Sequence, residues 1–375
     1  MKSTNLKPEI RTPIQVLAPN IIHSFENVDP IAIKILSELV KSGLINNEIE
    51  IDYFGNKFQP PQVTENGLIK LNSVYLEHLW SFIYSTLVIF EEGIQKPQIN
   101  KTFDGTIEFT TPLMTRAREL YIWSLSLSKK ITEWNMNLPN PVNYMNDQAL
   151  KNKCLDLFLI EKNYAEKTNK LFQEAVTFLM YHEFAHIYLN HINAYKKIKL
   201  IPGNHLTSNE YSELIQMEND ADRFAADMVL KKSFGENSLF VSCIPVLMVL
   251  CSSIQILSNP INIEQLSHPN LDNRLLNMIQ NFELSAEKNV FYIKQYACFC
   301  ITQFIKFYDH AIQLKQDNLR LKGEAYSSEA DNMEDDKVKY QLSTYDTIDD
   351  SLTALLEKLE VFITKQKIKN RQSSD

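Results

Sequence analysis

LFQEAVTFLMYHEFAHIYLNHI, residues 171–192, is the stretch on which the reading of this chain turns. Leu171, Phe172, Ala175, Val176, Leu179 and Met180 lead in, and Ile187, Tyr188, Leu189 and Ile192 follow. Wound as a helix, the segment is apolar around nearly its whole circumference, which marks a buried helix. Set inside it is His182-Glu183-Phe184-Ala185-His186, an HExxH pattern. Residues four apart on a helix lie about 40° apart in projection and one turn up, so both imidazoles can face one metal ion. Glu183 is rotated by about 100° from His182. It therefore stays out of the ligand set yet is close enough to take a proton from a water on the metal. A site that held zinc only for structure has no use for that carboxylate. The pattern fixes three residues and arises by accident in about one chain of this length in a hundred, so its surroundings have to carry it. They do: histidines and a glutamate inside a buried helix must be hydrogen-bonded or bound to a cation, because each unpaired buried polar group costs on the order of 1–3 kcal/mol.

A catalytic zinc takes three protein ligands and keeps one position open. His191 is the nearest further histidine, but on a continuing helix it sits about 140° from His186 and about 180° from His182 and cannot converge with them. The extended pattern HExxHxxGxxH fails as well, with Leu189 in place of glycine and Ile192 in place of the third histidine. Glu218, in Glu218-Asn219-Asp220-Ala221-Asp222, is the better candidate. A second helix is expected from Thr207, with Glu210 at capping-box spacing, to about Gly235. On it Glu218, Ala221, Asp222 and Ala225 share one face, and the alanines let it approach the first helix. Asp222, one turn past Glu218, is placed to accept the other ring N–H of a ligating histidine, best His182. The bland alternative for this acidic pair is a solvated charged face.

HExxH followed by E-x-x-A-D-x-x-A, Glu218 to Ala225, resembles the gluzincins, in which a glutamate from a second helix is the third zinc ligand. A third string, His268-Pro269-Asn270-Leu271-Asp272-Asn273-Arg274, with Leu275 and Met278 beyond, looks like the segment after the metal helices in the CaaX-prenyl-protease and HtpX-like group. Among soluble bacterial proteins of this size the chain resembles the Lit-type phage-exclusion peptidases, over roughly residues 165 to 282. Proteases of the ImmA/IrrE type share HExxH and a later E-x-x-A-x-x-F-A, matched here by Glu218, Ala221, Phe224 and Ala225, but carry asparagine where Asp222 stands and lack the His-Pro-x4-Arg string. The resemblance implies a zinc endopeptidase with His182, His186 and Glu218 as ligands and Glu183 as general base. His268 and Arg274 are then candidates to stabilise the oxyanion, His268 fixed just before a helix that Pro269 begins, or Arg274 to brace Glu218 or Asp222. For His268 the plain alternative is a residue at a helix start.

The membrane-embedded relatives of that group have several long apolar spans, whereas this chain has one charge-free run, 239–257. It is just long enough to cross a bilayer. Ser242, Pro245, Ser252, Ser253 and Gln255 interrupt it, and it is read as a buried core helix, with a membrane span as the alternative. With 375 residues, 44% of them hydrophobic, there is ample material for a core. The eight glycines allow few tight turns and favour long helices. A net charge of −8 without basic blocks argues against nucleic acid as partner. Five cysteines without CxxC spacing, Cys154, Cys243, Cys251, Cys298 and Cys300, read as reduced core thiols of a cytoplasmic protein, and since MKSTNLKPEIRTPIQVLAP has no apolar core of signal-peptide length, export is not expected.

Along the chain, residues 1–29 are expected to be extended between prolines, helices to run over 31–43, 72–90 and 113–134, and 48–53 to be a strand. His78 reads as an ordinary partly buried histidine. Asp104-Gly105 within KTFDGTIEFT signals a β-hairpin over 101–110 that could offer a sheet edge to an extended peptide. Residues 1–140 are read as an N-terminal helical and hairpin region contributing to a substrate groove, and 141–321 as the catalytic core. The stretch 322–346 is read as an acidic, mobile linker, and 347–375 as a C-terminal helix and tail. The expected fold is mainly α with a small β-sheet or hairpin, built on a zincin-like metallopeptidase core. The expected protein holds one Zn2+ and cuts a protein substrate, with a role in phage exclusion or stress. Outside that reading stand an ImmA/IrrE-like protease acting on a repressor, and a metal-binding interaction protein with little turnover, which needs the ligands but not Glu183.

Overall fold

The computed structural model describes residues 12–27, 30–46, 48–53, 57–128, 130–142, 155–194, 207–231, 236–256, 271–285, 290–320, 337–340 and 347–373. It is mainly helical with small sheets, as the composition and periodicity lead one to expect. Two compact units make it up. One takes its residues from 1–84, 119–204 and 220–232, the other from 85–118, 205–219 and 233–375.

In the first unit, the long helix α6 (Leu155–Tyr188) is the element on which the others pack. A 3₁₀ turn, Pro13–Leu17, runs into α1 (Ala18–Glu26), and α2 (Pro30–Lys41) follows. Over residues 12–27 this corrects the expectation of an extended start; 1–11, 28 and 29 lie outside the described residues. Pro13, Pro19 and Pro30 sit in the first turn of these helices, where no backbone N–H is needed, so they begin helices rather than prevent them. Phe25 of α1 stacks near Tyr181 of α6, and the Tyr181 hydroxyl donates to the Phe25 carbonyl at 2.8 Å. Strands β1 (Ile49–Asp52), β2 (Gln62–Val63) and β3 (Ile69–Asn72) form a sheet in the order β1-β3-β2, with β1 parallel and β2 antiparallel to β3. Gly67 makes the β2–β3 turn at a φ of +74°, where a Cβ would come within 2.3 Å of the Leu44 carbonyl oxygen. β2 and β3 both pack on α6. β3 passes directly into α3 (Ser73–Phe90), whose residues 73–84 belong to this unit; the helix is buried along its whole length, and its Trp80 Nε1 donates to Asn169 Oδ1 of α6 at 2.8 Å. His78, also on α3, is fully rather than partly buried, its Nδ1 2.9 Å from the Ser124 carbonyl oxygen.

The second unit holds α4 (Lys96–Ile99), β4 (Thr106–Glu108), α8 (Glu236–Ile256), α9 (Leu271–Ser285), α10 (Val290–Arg320), β5 (Lys337–Lys339) and α11 (Ile348–Ser373). α8 packs against α9 and α10, and α10 against α11, where Lys294 and Asp349 form an ion pair. The apolar run 239–257 falls on α8, and no helix among the described residues is long and apolar enough to cross a membrane. Cys243, Cys251, Cys298 and Cys300 are buried thiols outside any disulfide, and burial pushes the Cys243 and Cys298 thiols up to about 12. Cys154 lies outside the described residues.

The hairpin expected over 101–110 does not form. Upstream of Asp104 the backbone is committed elsewhere: the N–H groups of Thr102 and Phe103 donate to the Pro97 carbonyl at 2.8 and 3.2 Å, finishing α4. Asp104 instead caps the turn into β4 by accepting from the Thr106 N–H at 2.9 Å, and β4 pairs antiparallel with β5, Ile107 opposite Val338. A strand thus lies inside the stretch 322–346 that reads as acidic and mobile; 322–336 and 341–346 are outside the described residues. Helix α5 (Pro112–Ser126) also stops earlier than its apolar spacing suggests. Ser124, Ser126 and Ser128 each turn their hydroxyl onto the carbonyl three residues back, and the chain folds over so that Trp134 meets Trp123 at 4.8 Å between ring centroids.

The 3₁₀ turn is tied to α3 by a hydrogen bond from the Thr12 hydroxyl to Glu77 Oε1. Burial raises the Glu77 carboxyl from 4.5 to about 7, against a smaller lowering by that bond. Because the folded-state value is the higher one, folding favours the protonated acid. The stability it contributes is complete below pH 4.5 and is lost as pH rises through about 7. Urea denaturation of the wild type and of Glu77→Gln across that window should show the wild type losing stability relative to the variant; parallel curves would contradict the assignment.

Candidate metal centre

Helix α7 (Ser208–Lys231) begins as its sequence demands. Thr207 and Glu210 form a capping box: the Glu210 N–H donates to Thr207 Oγ1 at 3.3 Å, and the Thr207 N–H donates back to Glu210 Oε2 at 2.7 Å. The Thr207 N–H bond, and the Thr207 hydroxyl that donates to the same Glu210 Oε2 at 2.8 Å, lower the Glu210 carboxyl's pKa. One face of α7 is then buried through Glu218, Ala221, Asp222 and Ala225. Phe224 of α7 lies 6.0 Å from Phe184 and 5.4 Å from Tyr188, ring centroid to centroid, fastening it to the end of α6.

On α6, His182 and His186 turn their Nε2 atoms toward each other at 3.2 Å. Two nitrogens bound tetrahedrally to zinc at about 2.0–2.1 Å stand about 3.3 Å apart, so the pair is spaced for one ion. Ligand atoms of His182, His186 and Glu218 all lie within 4.8 Å of one another, and all three residues are buried. The other nitrogen of His182, Nδ1, lies 2.9 Å from Asp222 Oδ1, a placement from which a carboxylate could orient the ring. The donor chemistry fits a divalent cation. Glu218 and Asp222 are 1% and 4% exposed, and buried carboxyl groups beside two imidazoles are the kind of oxygen and nitrogen donor set that such an ion takes. Glu183 is half-buried, beside His182 on the same helix but off the line joining the two imidazoles.

Arg274 is half-buried on α9, and His268 lies outside the described residues. His191 departs from the sequence reading. It is not among the clustered ligand atoms, yet its Nδ1 lies 3.0 Å from His186 Nδ1. The rotation of about 140° assumed an unbroken helix, and α6 ends at Tyr188. Asn190 takes a left-handed φ of 60°, its N–H donating to the Ile187 carbonyl at 3.0 Å, and the chain reverses so that His191 returns to the side of His186. The signal was present in the sequence: asparagine is the residue, after glycine, that most readily stops a helix this way.

A family model for peptidase U49 matches residues 69–297, well over half of the chain and a span that includes α6, α7 and α9. The chain belongs to the peptidase U49 family, the Lit-type peptidases. No curated protein and no solved structure matches it. Membership in U49 makes this protein a peptidase, with protein as its substrate class.

The left-handed residue gives the centre a stability test. Asn190→Val should destabilise the protein by about 1–2 kcal/mol, since a β-branched side chain is strained there, whereas Asn190→Gly should be neutral or better. Denaturant midpoints decide it, and equal midpoints for Val and Gly would contradict the αL cap.

Proposed function

We propose that this U49 peptidase is a zinc-dependent endopeptidase of the gluzincin type, with one zinc held by His182, His186 and Glu218. The observation that supports the reading best is the 3.2 Å approach of the two Nε2 atoms inside a buried cluster that includes Glu218. A zinc ion bound there supplies a water of near-neutral pKa and a Lewis acid for the scissile carbonyl. Glu183 takes the proton of the attacking water and delivers it to the amine as the C–N bond breaks. Asp222 holds the His182 ring so that Nε2 faces the ion. His268 or Arg274 donates to the developing oxyanion, or Arg274 braces the ligand helix. On this reading the reaction serves phage exclusion or a stress response, the role that the resemblance suggests.

The purified protein should carry close to one zinc per chain, and His182→Ala, His186→Ala and Glu218→Ala should each lose most of it. Glu183→Gln should keep the zinc and the fold while hydrolysis falls by several orders of magnitude, read as fragments of a host lysate that only the active protein produces. Full zinc retention in Glu218→Ala would remove the gluzincin assignment, and undiminished cleavage by Glu183→Gln would remove the base. For Arg274→Ala, a drop in kcat of about a hundredfold to a thousandfold with unchanged zinc content would identify an oxyanion donor. Loss of zinc and of thermal stability together would identify a brace instead, and wild-type behaviour in all three would exclude both roles.

A further inference from the structure

Resting on the zinc-site reading, we infer that His191 is a positioning residue for the metal centre. Its Nδ1 accepts the Nδ1–H of His186 and so fixes the tautomer and ring orientation in which His186 Nε2 faces the ion. The two Nδ1 atoms are 3.0 Å apart, and the rings meet edge-on, 5.2 Å between centroids and 62° between planes. Both residues are buried, at 6% and 7% exposure, so the contact is shielded from water.

The proton count sets the direction of the bond. An imidazole that ligates through Nε2 keeps its proton on Nδ1, and that N–H needs an acceptor. Two N–H groups cannot face each other at this distance, so His191 presents a bare Nδ1 and carries its own proton on Nε2. The centre then has two unlike supports. His182 is backed by the carboxylate of Asp222 at 2.9 Å, and His186 by a neutral imidazole. Such partners orient ligands as much as they tune them. His191 can serve only because Asn190 reverses the chain and starts the short helical turn 191–194.

The test exploits side-chain geometry. Asparagine places its Oδ1 near the position of a histidine Nδ1, whereas glutamine reaches the position of Nε2. Zinc affinity, measured by competition with a chromophoric chelator, should fall about 10–100-fold in His191→Gln and His191→Phe. It should return to near the wild-type value in His191→Asn. Melting temperatures of the metal-free Asn and Gln variants should agree, so that the difference between them belongs to the metal site and not to packing. Should His191→Phe fail to fold, the Asn and Gln pair still decides. Equal affinity in those two variants, whether both high or both low, would overturn the positioning role while leaving the zinc site in place. A wild-type protein that binds no zinc would overturn the zinc reading and this inference together.

Discussion

Two carboxylates buried against two imidazoles in a helical core are the constraint around which this protein is arranged. Glu218 and Asp222 are almost fully removed from water, and nothing apolar around them can compensate for that. Their position on α7 is therefore not free. Asp222 has to meet His182, Glu218 has to reach the two Nε2 atoms one turn earlier, and Ala221 and Ala225 keep the rest of the face small. The aromatic contacts of Phe224 with Phe184 and Tyr188 then hold the register that this polar cluster requires. The U49 family match spans both helices that carry the cluster, and the half-buried Glu183 stands beside it on α6.

Much of this was legible because the physics is local. The capping box at Thr207 and Glu210, the apolar circumference of residues 171–189 and the i, i+4 spacing of the histidines are all properties of a few adjacent residues. So is the shared face of Glu218, Ala221, Asp222 and Ala225, which is buried as one surface. The bringing together of His182, His186 and Glu218 followed from stacking two such patterns. What failed depended on competition between neighbours or on partners far away in the chain. Prolines at 13 and 19 read as breakers until their place in a helical first turn is known. The serines of α5 draw its last turns apart although apolar spacing continues to Trp134. Asp104-Gly105 has the composition of a hairpin turn, but the preceding amides had already been taken by the end of α4, and the partner strand lies more than two hundred residues later.

His191 shows the same lesson at the scale of one residue. A helical wheel drawn past Tyr188 sends it to the far side, and a single left-handed asparagine brings it back. Projection arguments are as good as the assumption that the helix continues. At the ends of metal-bearing helices that assumption decides which side chains surround the ligands.

The pairing of β4 with β5 bears on how the chain can be made. Glu108 lies opposite Lys337, so the segment around β4 leaves the ribosome long before the strand that completes it. At roughly 5–20 residues per second the interval lasts on the order of tens of seconds. Throughout it, one edge of β4, with Ile107 at its centre, lacks its partner strand. α6, with both histidines, is synthesised during that wait. The nascent chain thus carries His182 and His186 before Glu218 exists and while one of its two units is still open, a period in which holding chaperones have a defined surface to protect.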